Sequence, residues 1–212
     1  MILVPVKNLG QAKQRLSAVL DQPARTQLAQ AMLHDVLAVL AGWKNRPAVS
    51  IVSSDGFAIE LARQCEFEII PDPANSGETG AIEIATQICQ RRGVDFALVI
   101  PADIPLLTAG ELQAILDHAP AQGSVLVPAA DGRGTNAAFR RPANLFPLRF
   151  GNDSFKPHHA AAEATGKPCV VLQLPGIAVD VDNPTDLQQL IALPGETRSQ
   201  CLARGCMAKV AF

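Results

Sequence analysis

The sequence predicts a three-layer α/β/α domain built on a mostly parallel sheet, and three observations carry that expectation. Strand-like and helix-like segments take turns along the chain. Several strand candidates are short, continuous aliphatic runs, the pattern of a strand covered on both faces. With 212 residues, 48% of them hydrophobic, the chain can fill one substantial core. Residues 1–212 therefore read as a single domain, with residues 194–212 as a loosely packed tail.

Ile2-Leu3-Val4 opens as a strand. Asp21-Gln22-Pro23 is a helix start, an acceptor side chain followed by a first-turn proline. Apolar residues recur at helical spacing from Leu28 to Leu40, and Gly42 follows as a stop. Residues 48–52 read as a strand, 57–64 as a helix, 67–70 as a strand and 79–92 as a helix. The run Phe96-Ala97-Leu98-Val99-Ile100 is a buried strand that ends in Asp103, between two prolines. Thr108-Ala109-Gly110-Glu111 has capping-box spacing and opens another helix. Residues 124–128 are a strand, 154–165 a helix, 169–174 and 178–181 strands, and Asn183-Pro184-Thr185-Asp186 starts a closing helix.

The formal charge is only −2, with no basic run and few aromatics, which argues against nucleic acid as a partner. No apolar stretch reaches membrane-spanning length, and MILVPVK is too short and wrongly flanked for a signal peptide. The five cysteines show no C-x-x-C spacing and read as reduced thiols. A cytoplasmic protein that does not engage membranes is expected.

In open parallel sheets, ligands sit beyond the carboxyl ends of the strands. Four segments fall there. VPVKNLGQAKQRL sets Lys7, Lys13 and Arg15 around Gly10, and cations with freed backbone N–H groups suit a polyphosphate. It is neither a Walker A motif nor a dinucleotide fingerprint. In AVDVDNPTDL, strand alternation puts Asp180 and Asp182 on one face, where two carboxylates repel unless a cation neutralises them. With Asp103 they make three hard-oxygen donors, a set that favours magnesium, although Asp182 could equally cap a turn. In PAADGRGTNAAF, residues 131–134 suit a hairpin turn, and Thr135 and Asn136 add donors for an anion. RFGNDSFKPHHAAAEA places Gly151, Ser154, Lys156 and His158 around a helix start, a second arrangement for an anion. His158 also reads as an ordinary surface histidine.

The ordered segments VPVK-x₅-K-x-RL, P-x-D-x-PLL, DG-x-GTNA, FG-x₂-SF-x₂-H and D-x-D-x-P-x-DL resemble the CofC-type guanylyltransferases of deazaflavin coenzyme biosynthesis. The resemblance runs from Val4 to Leu187. It implies the GT-A-like nucleotidyltransferase fold and transfer of GMP from GTP to a phosphorylated three-carbon acid, with release of pyrophosphate. The acid is phosphoenolpyruvate, 2-phospho-L-lactate or 3-phospho-D-glycerate, and a homodimer is left open as an assembly. By resemblance, Asp103, Asp180 and Asp182 hold magnesium, Asp182 being the surer of the pair. Lys7, Lys13 and Arg15 fall on the triphosphate, Gly77 and Thr79 on the nucleotide side, and Thr135, Gly151, Ser154 and His158 around the acid. Asp103, Asp182, Lys13 and Arg15 form the catalytic set.

Three segments depart from the family pattern. Ala102 replaces a glycine, Gly77-Glu78-Thr79 replaces Gly-Leu-Asn, and Asp153 replaces a glycine. Asp153 is expected to face away from the acid and cap the following helix. A molybdenum-cofactor type nucleotidyltransferase and a non-catalytic nucleotide-binding module are the competing readings.

Overall fold

The computed structural model describes residues 1–75, 77–151 and 153–210. Seven strands, β1 (Ile2–Pro5), β2 (Val49–Val52), β3 (Glu68–Ile70), β4 (Ala97–Val99), β5 (Gly123–Pro128), β6 (Thr135–Arg141) and β7 (Cys169–Val171), form one sheet. Its order is β3-β2-β1-β4-β6-β5-β7. Only β6 runs against its neighbours, so the sheet is mostly parallel. The helices are α1 (Gln22–Gly42), α2 (Gly56–Gln64), α3 (Gly77–Arg91), α4 (Ala109–Asp117), α5 (Phe155–Glu163), α6 (Pro175–Ala178), α7 (Pro184–Ala192) and α8 (Arg198–Val210). No helix among the described residues is long and apolar enough to cross a membrane.

Successive side chains of a strand point to opposite faces, so each strand feeds two cores. Ile2, Val4, Leu98, Val125 and Phe139 pack with α1, α4 and α7 on one face. Leu3, Val99, Leu126 and Ala138 pack with α3 and α5 on the other. Both faces are covered, which explains the continuous aliphatic runs. α1 starts where expected: Asp21 accepts from the Ala24 N–H, and proline occupies the first turn. It is apolar nearly all round because the sheet and α8 enclose it from two sides.

The connection through α1 carries the chain to β2 on one side of β1, while the connection through α3 brings it back to β4 on the other side. The order therefore reverses between β1 and β4. A crevice opens at such a switch point, beyond the carboxyl ends of the two strands.

Two expectations are corrected, and one strand, β6, is added. β6 was not anticipated, because TNAAFRR has little β-branching and no apolar alternation; it is set by its hairpin with β5 and by pairing to β4. Residues 178–181 do not form a strand. β7 already occupies the sheet edge, and the segment crosses the end of the sheet, with Val181 donating to the Asp103 carbonyl at 3.3 Å. The described part of the tail is not loose either: α8 packs on α1, with Ser199 and Gln200 fully buried.

Asp35 of α1 fixes the start of α8 by accepting from the backbone N–H groups of Arg198 (3.0 Å) and Ser199 (2.9 Å) and from the Ser199 hydroxyl (2.6 Å). Removing this acceptor strands buried donors, so Asp35→Ala is expected to cost about 2–3 kcal/mol in urea denaturation. A change of only a few tenths would show that α8 is held some other way.

Candidate functional site

The loop after β1 is built to deliver one lysine. Two 3-10 turns, Leu9–Gln11 and Gln14–Leu16, flank Lys13, whose φ of 55° is left-handed. That conformation costs a non-glycine residue on the order of 1–2 kcal/mol and persists only where its surroundings impose it. Here they do. Asp55 caps α2 through Ala58 with one oxygen and accepts from the Leu9 N–H at 3.0 Å with the other, anchoring the loop. The Lys13 ammonium then meets Asp103 at 2.6 Å and Asp182 at 2.9 Å.

Lys13, expected at the triphosphate, is paired in this structure with two carboxylates. Its side chain is only 7% exposed and its charge is engaged by two carboxylates. Burial alone would lower its pKa, but Asp103 and Asp182 outweigh burial and hold it charged. Lys7 and Arg15 remain at the cleft wall, Arg15 lying 3.9 Å from Asp182. Burial would raise the Asp182 carboxyl, yet Lys13, Arg15 and Lys7 hold it low.

Asp180 reaches the site from the irregular segment, not from a strand. The Asn136 amide donates to Asp180 at 3.0 Å and to the carbonyls of Ile177 and Ala178, so it is spent on positioning rather than on an anion. Burial, reinforced by the charges of Asp103 and Asp182, pushes the Asp180 carboxyl up to about 6. Sequence reasoning missed a fourth acid. Glu78, in the first turn of α3, is pushed up to about 7 by burial and by Asp103, against the opposing pull of Lys7 and Lys13. The only signal was its replacement of the family's leucine.

Two clefts meet at these acids and share Lys7, Glu78, Asp103 and Asp182. One, of about 390 Å³, has an apolar wall of Leu9, Ala12, Ala29 and Met32. The other, of about 580 Å³, runs past Thr135, Gly151 and Ser154.

Around the second cleft, β6 and α5 are stitched together. The Thr135 N–H donates to Ser154 Oγ at 3.1 Å, and the Phe155 N–H donates to the Arg133 carbonyl at 2.8 Å. Gly151 has φ of 146°, a region that favours glycine, and Gly77 at the head of α3 has φ of 76° for the same reason. His158 lies behind the cleft wall, buried and bonded to Thr135 and to the Arg149 N–H. The Thr79 hydroxyl, expected on the nucleotide side, bonds both the N–H (2.9 Å) and the carbonyl (3.3 Å) of Phe150 and ties α3 to the Gly151 loop.

Asp153 does not cap α5, a correction to the sequence reading. Its φ of 57° matches a position where the family has glycine, and aspartate is among the residues that tolerate this region. Its two oxygens instead receive Nε and Nη2 of Arg133 at the cleft rim, and that pairing holds the carboxyl below its ordinary value.

Asp103 and Asp182 are the two carboxylates placed to meet a divalent cation. Asp103 and Asp182 already share one cation, the Lys13 ammonium, and both face the clefts with hard oxygen donors. Among the described residues, no three acidic or other ligating side chains stand together at metal-binding spacing. A magnesium ion held by one or two carboxylates normally completes its shell with substrate phosphates and water.

A family model described as "Guanylyl transferase CofC like" matches residues 1–212. The chain is 35% identical over 188 residues to a phosphoenolpyruvate guanylyltransferase from Sphaerobacter thermophilus, covering 89% of this chain and 90% of the relative. It is 34% identical over 194 residues to a 2-phospho-L-lactate guanylyltransferase from Methanothermobacter thermautotrophicus, covering 92% and 84%. A candidate nucleotide-diphospho-sugar transferase from Desulfovibrio desulfuricans G20 superposes with a TM-score of 0.78 at 20% identity, covering 99% and 96%. That likeness supports the nucleotidyltransferase fold.

The Glu78 carboxyl, raised from 4.5 to about 7, is neutral in folded and unfolded chains below pH 4.5. Its destabilising charge therefore develops between pH 4.5 and 7 and is full above 7. Glu78→Gln is expected to raise the unfolding free energy at pH 8 by about 1–3 kcal/mol, and much less at pH 5. Urea denaturation in EDTA at both pH values checks this, and an equal effect at both would contradict it.

Proposed function

Because the chain belongs to the CofC-like guanylyltransferase family, we propose that it transfers GMP from GTP to the phosphate of a small phosphorylated three-carbon acid. Phosphoenolpyruvate and 2-phospho-L-lactate are the first candidates, after the names of its relatives, and 3-phospho-D-glycerate is the third. The observation that carries the reading is the meeting of two clefts at Asp103 and Asp182. A two-substrate transfer needs both reactants at one reacting centre, and here the acids form the shared wall.

On this reading the cleft with the apolar wall takes the nucleoside, Lys7 on the shared wall faces its phosphates, and Arg15, which lines the second cleft beside Asp182, meets them from that side. The cleft lined by Thr135, Gly151 and Ser154 takes the acid. An oxygen of the acid's phosphate forms a bond to the α-phosphorus of GTP. The bond from that phosphorus to the bridging oxygen breaks, and pyrophosphate leaves. No general base is needed, because a phosphate monoester is ionised near neutral pH. Asp103 and Asp182 would hold magnesium, which when bound would neutralise the phosphate charges that otherwise keep two anions apart. The residues themselves orient the reactants, and Lys13 holds the two carboxylates in place. The product is a GMP-bearing phosphoanhydride, consistent with a role in deazaflavin coenzyme biosynthesis.

Pyrophosphate release from GTP with each acid in turn tests the proposal. One acid is expected to support turnover, with GTP preferred over ATP. Asp103→Asn and Asp182→Asn are each expected to lower kcat about a hundredfold, equivalent to roughly 3 kcal/mol of transition-state stabilisation. No turnover with any acid, or near-normal turnover in both variants at saturating magnesium, would overturn it.

A further inference from the structure

We infer that His158 is a positioning residue that turns the hydroxyl hydrogen of Thr135 into the acceptor cleft, making Thr135 a hydrogen-bond donor to the acid while the imidazole itself never touches it. The inference rests on the assignment of that cleft to the acid.

Its basis is a chain of hydrogen bonds with only one consistent direction. The Arg149 backbone N–H approaches His158 Nε2 at 2.8 Å. A backbone N–H can only donate, so Nε2 carries no proton. A neutral imidazole must then carry its hydrogen on Nδ1, which lies 2.9 Å from Thr135 Oγ1. The Nδ1–H therefore donates, and a lone pair of the threonine oxygen accepts. The hydrogen of the threonine hydroxyl is forced to point elsewhere.

Few places remain for it. Thr135 is buried, at 5% exposure, and lines the second cleft. Its other hydroxyl neighbour, Ser154 Oγ, is 3.4 Å away, a long contact in which the serine donates to the threonine. Ser154 Oγ also accepts the Thr135 N–H, and because its own hydrogen is directed at Thr135 Oγ1 it is not the acceptor for the threonine hydrogen. What remains for the threonine hydrogen is the cleft, where an incoming phosphate or carboxylate can accept only.

The imidazole is well suited to hold one tautomer. Burial, helped by the charge of Arg140, pushes its pKa down to about 4, so it stays neutral at any pH where the protein would work. The Phe150 ring packs edge-on against it with centroids 5.1 Å apart. The Arg149 N–H that sets the tautomer belongs to the loop anchored by Thr79 through Phe150. Helix α3, the Gly151 loop and β6 are thereby tied to one hydroxyl hydrogen.

The test is a double-mutant cycle read in KM. Losing a hydrogen bond to a charged ligand is worth roughly ten- to hundredfold in affinity. His158→Leu and Thr135→Val are each expected to raise the acid's KM by that order while leaving the KM for GTP unchanged. The double variant is expected to be no worse than Thr135→Val alone, because both act through one donor. His158→Asn, which keeps a donor near the Nδ1 position, is expected to retain most of the acid affinity, and it serves if the leucine variant does not fold. Separately, ¹⁵N NMR of histidine-labelled protein at pH 7 should show His158 protonated on Nδ1. Additive losses, an equal rise in the KM for GTP, or a ring protonated on Nε2 would overturn the inference. If wild-type protein turns over none of the acids, the assignment of the cleft fails; if it is active and the losses add, only this inference fails.

Discussion

One ammonium group holds the site together. Lys13 lies between Asp103, at the end of β4, and Asp182, on the segment that crosses the sheet edge, and its own backbone is left-handed to reach them. Asp180 and Glu78 add further negative potential at the same place, which is why burial and repulsion push both carboxyl groups upward. Without the lysine, the carboxylates would face one another across a partly desolvated crevice. Breaking a buried pair by removing one partner typically costs about 3–5 kcal/mol, because the other charge is left uncompensated. The two 3-10 turns, the Asp55 anchor and the irregular course of residues 179–182 all become intelligible as supports for this contact.

The acid-rich centre also sets the division of labour around it. Groups that read as ligand contacts in sequence turn out to hold other groups. Asn136 spends its amide on Asp180 and two carbonyls, Thr79 spends its hydroxyl on Phe150, and His158 sits behind Thr135. On the β6 and α5 side the second cleft is faced by hydroxyls and backbone, with Arg133 and Asp153 paired at its rim, while Lys7, Arg15 and the acids line its other side.

Much of this was legible in the sequence. Aliphatic runs located β1, β2, β4 and β5, the Asp21 and Thr108 caps located α1 and α4, and strand-end logic brought Asp103 to the crevice. The misses have physical causes. β6 is specified by its hairpin partner and not by its own alternation, and residues 178–181 look strand-like until β7 has taken the edge. Asp180 and Asp182 converge for a reason unrelated to strand periodicity, since Asn136 and Lys13 draw them in over long sequence separations. α8 depends on Asp35, far back in the chain, which no local pattern announces. Asp153 could be recognised as unusual, but only its backbone angle and Arg133 explain it.

The central claim is that Lys13 and Asp103 act as a coupled pair on which the site's architecture rests. A double-mutant cycle of Lys13→Met and Asp103→Asn, measured by urea denaturation in EDTA, addresses it most directly. The single variants are expected to be destabilised, and the double variant less so than their sum by about 1–3 kcal/mol. Strictly additive losses would mean that the two residues stabilise the fold independently, and the clasp would lose its place as the organising contact.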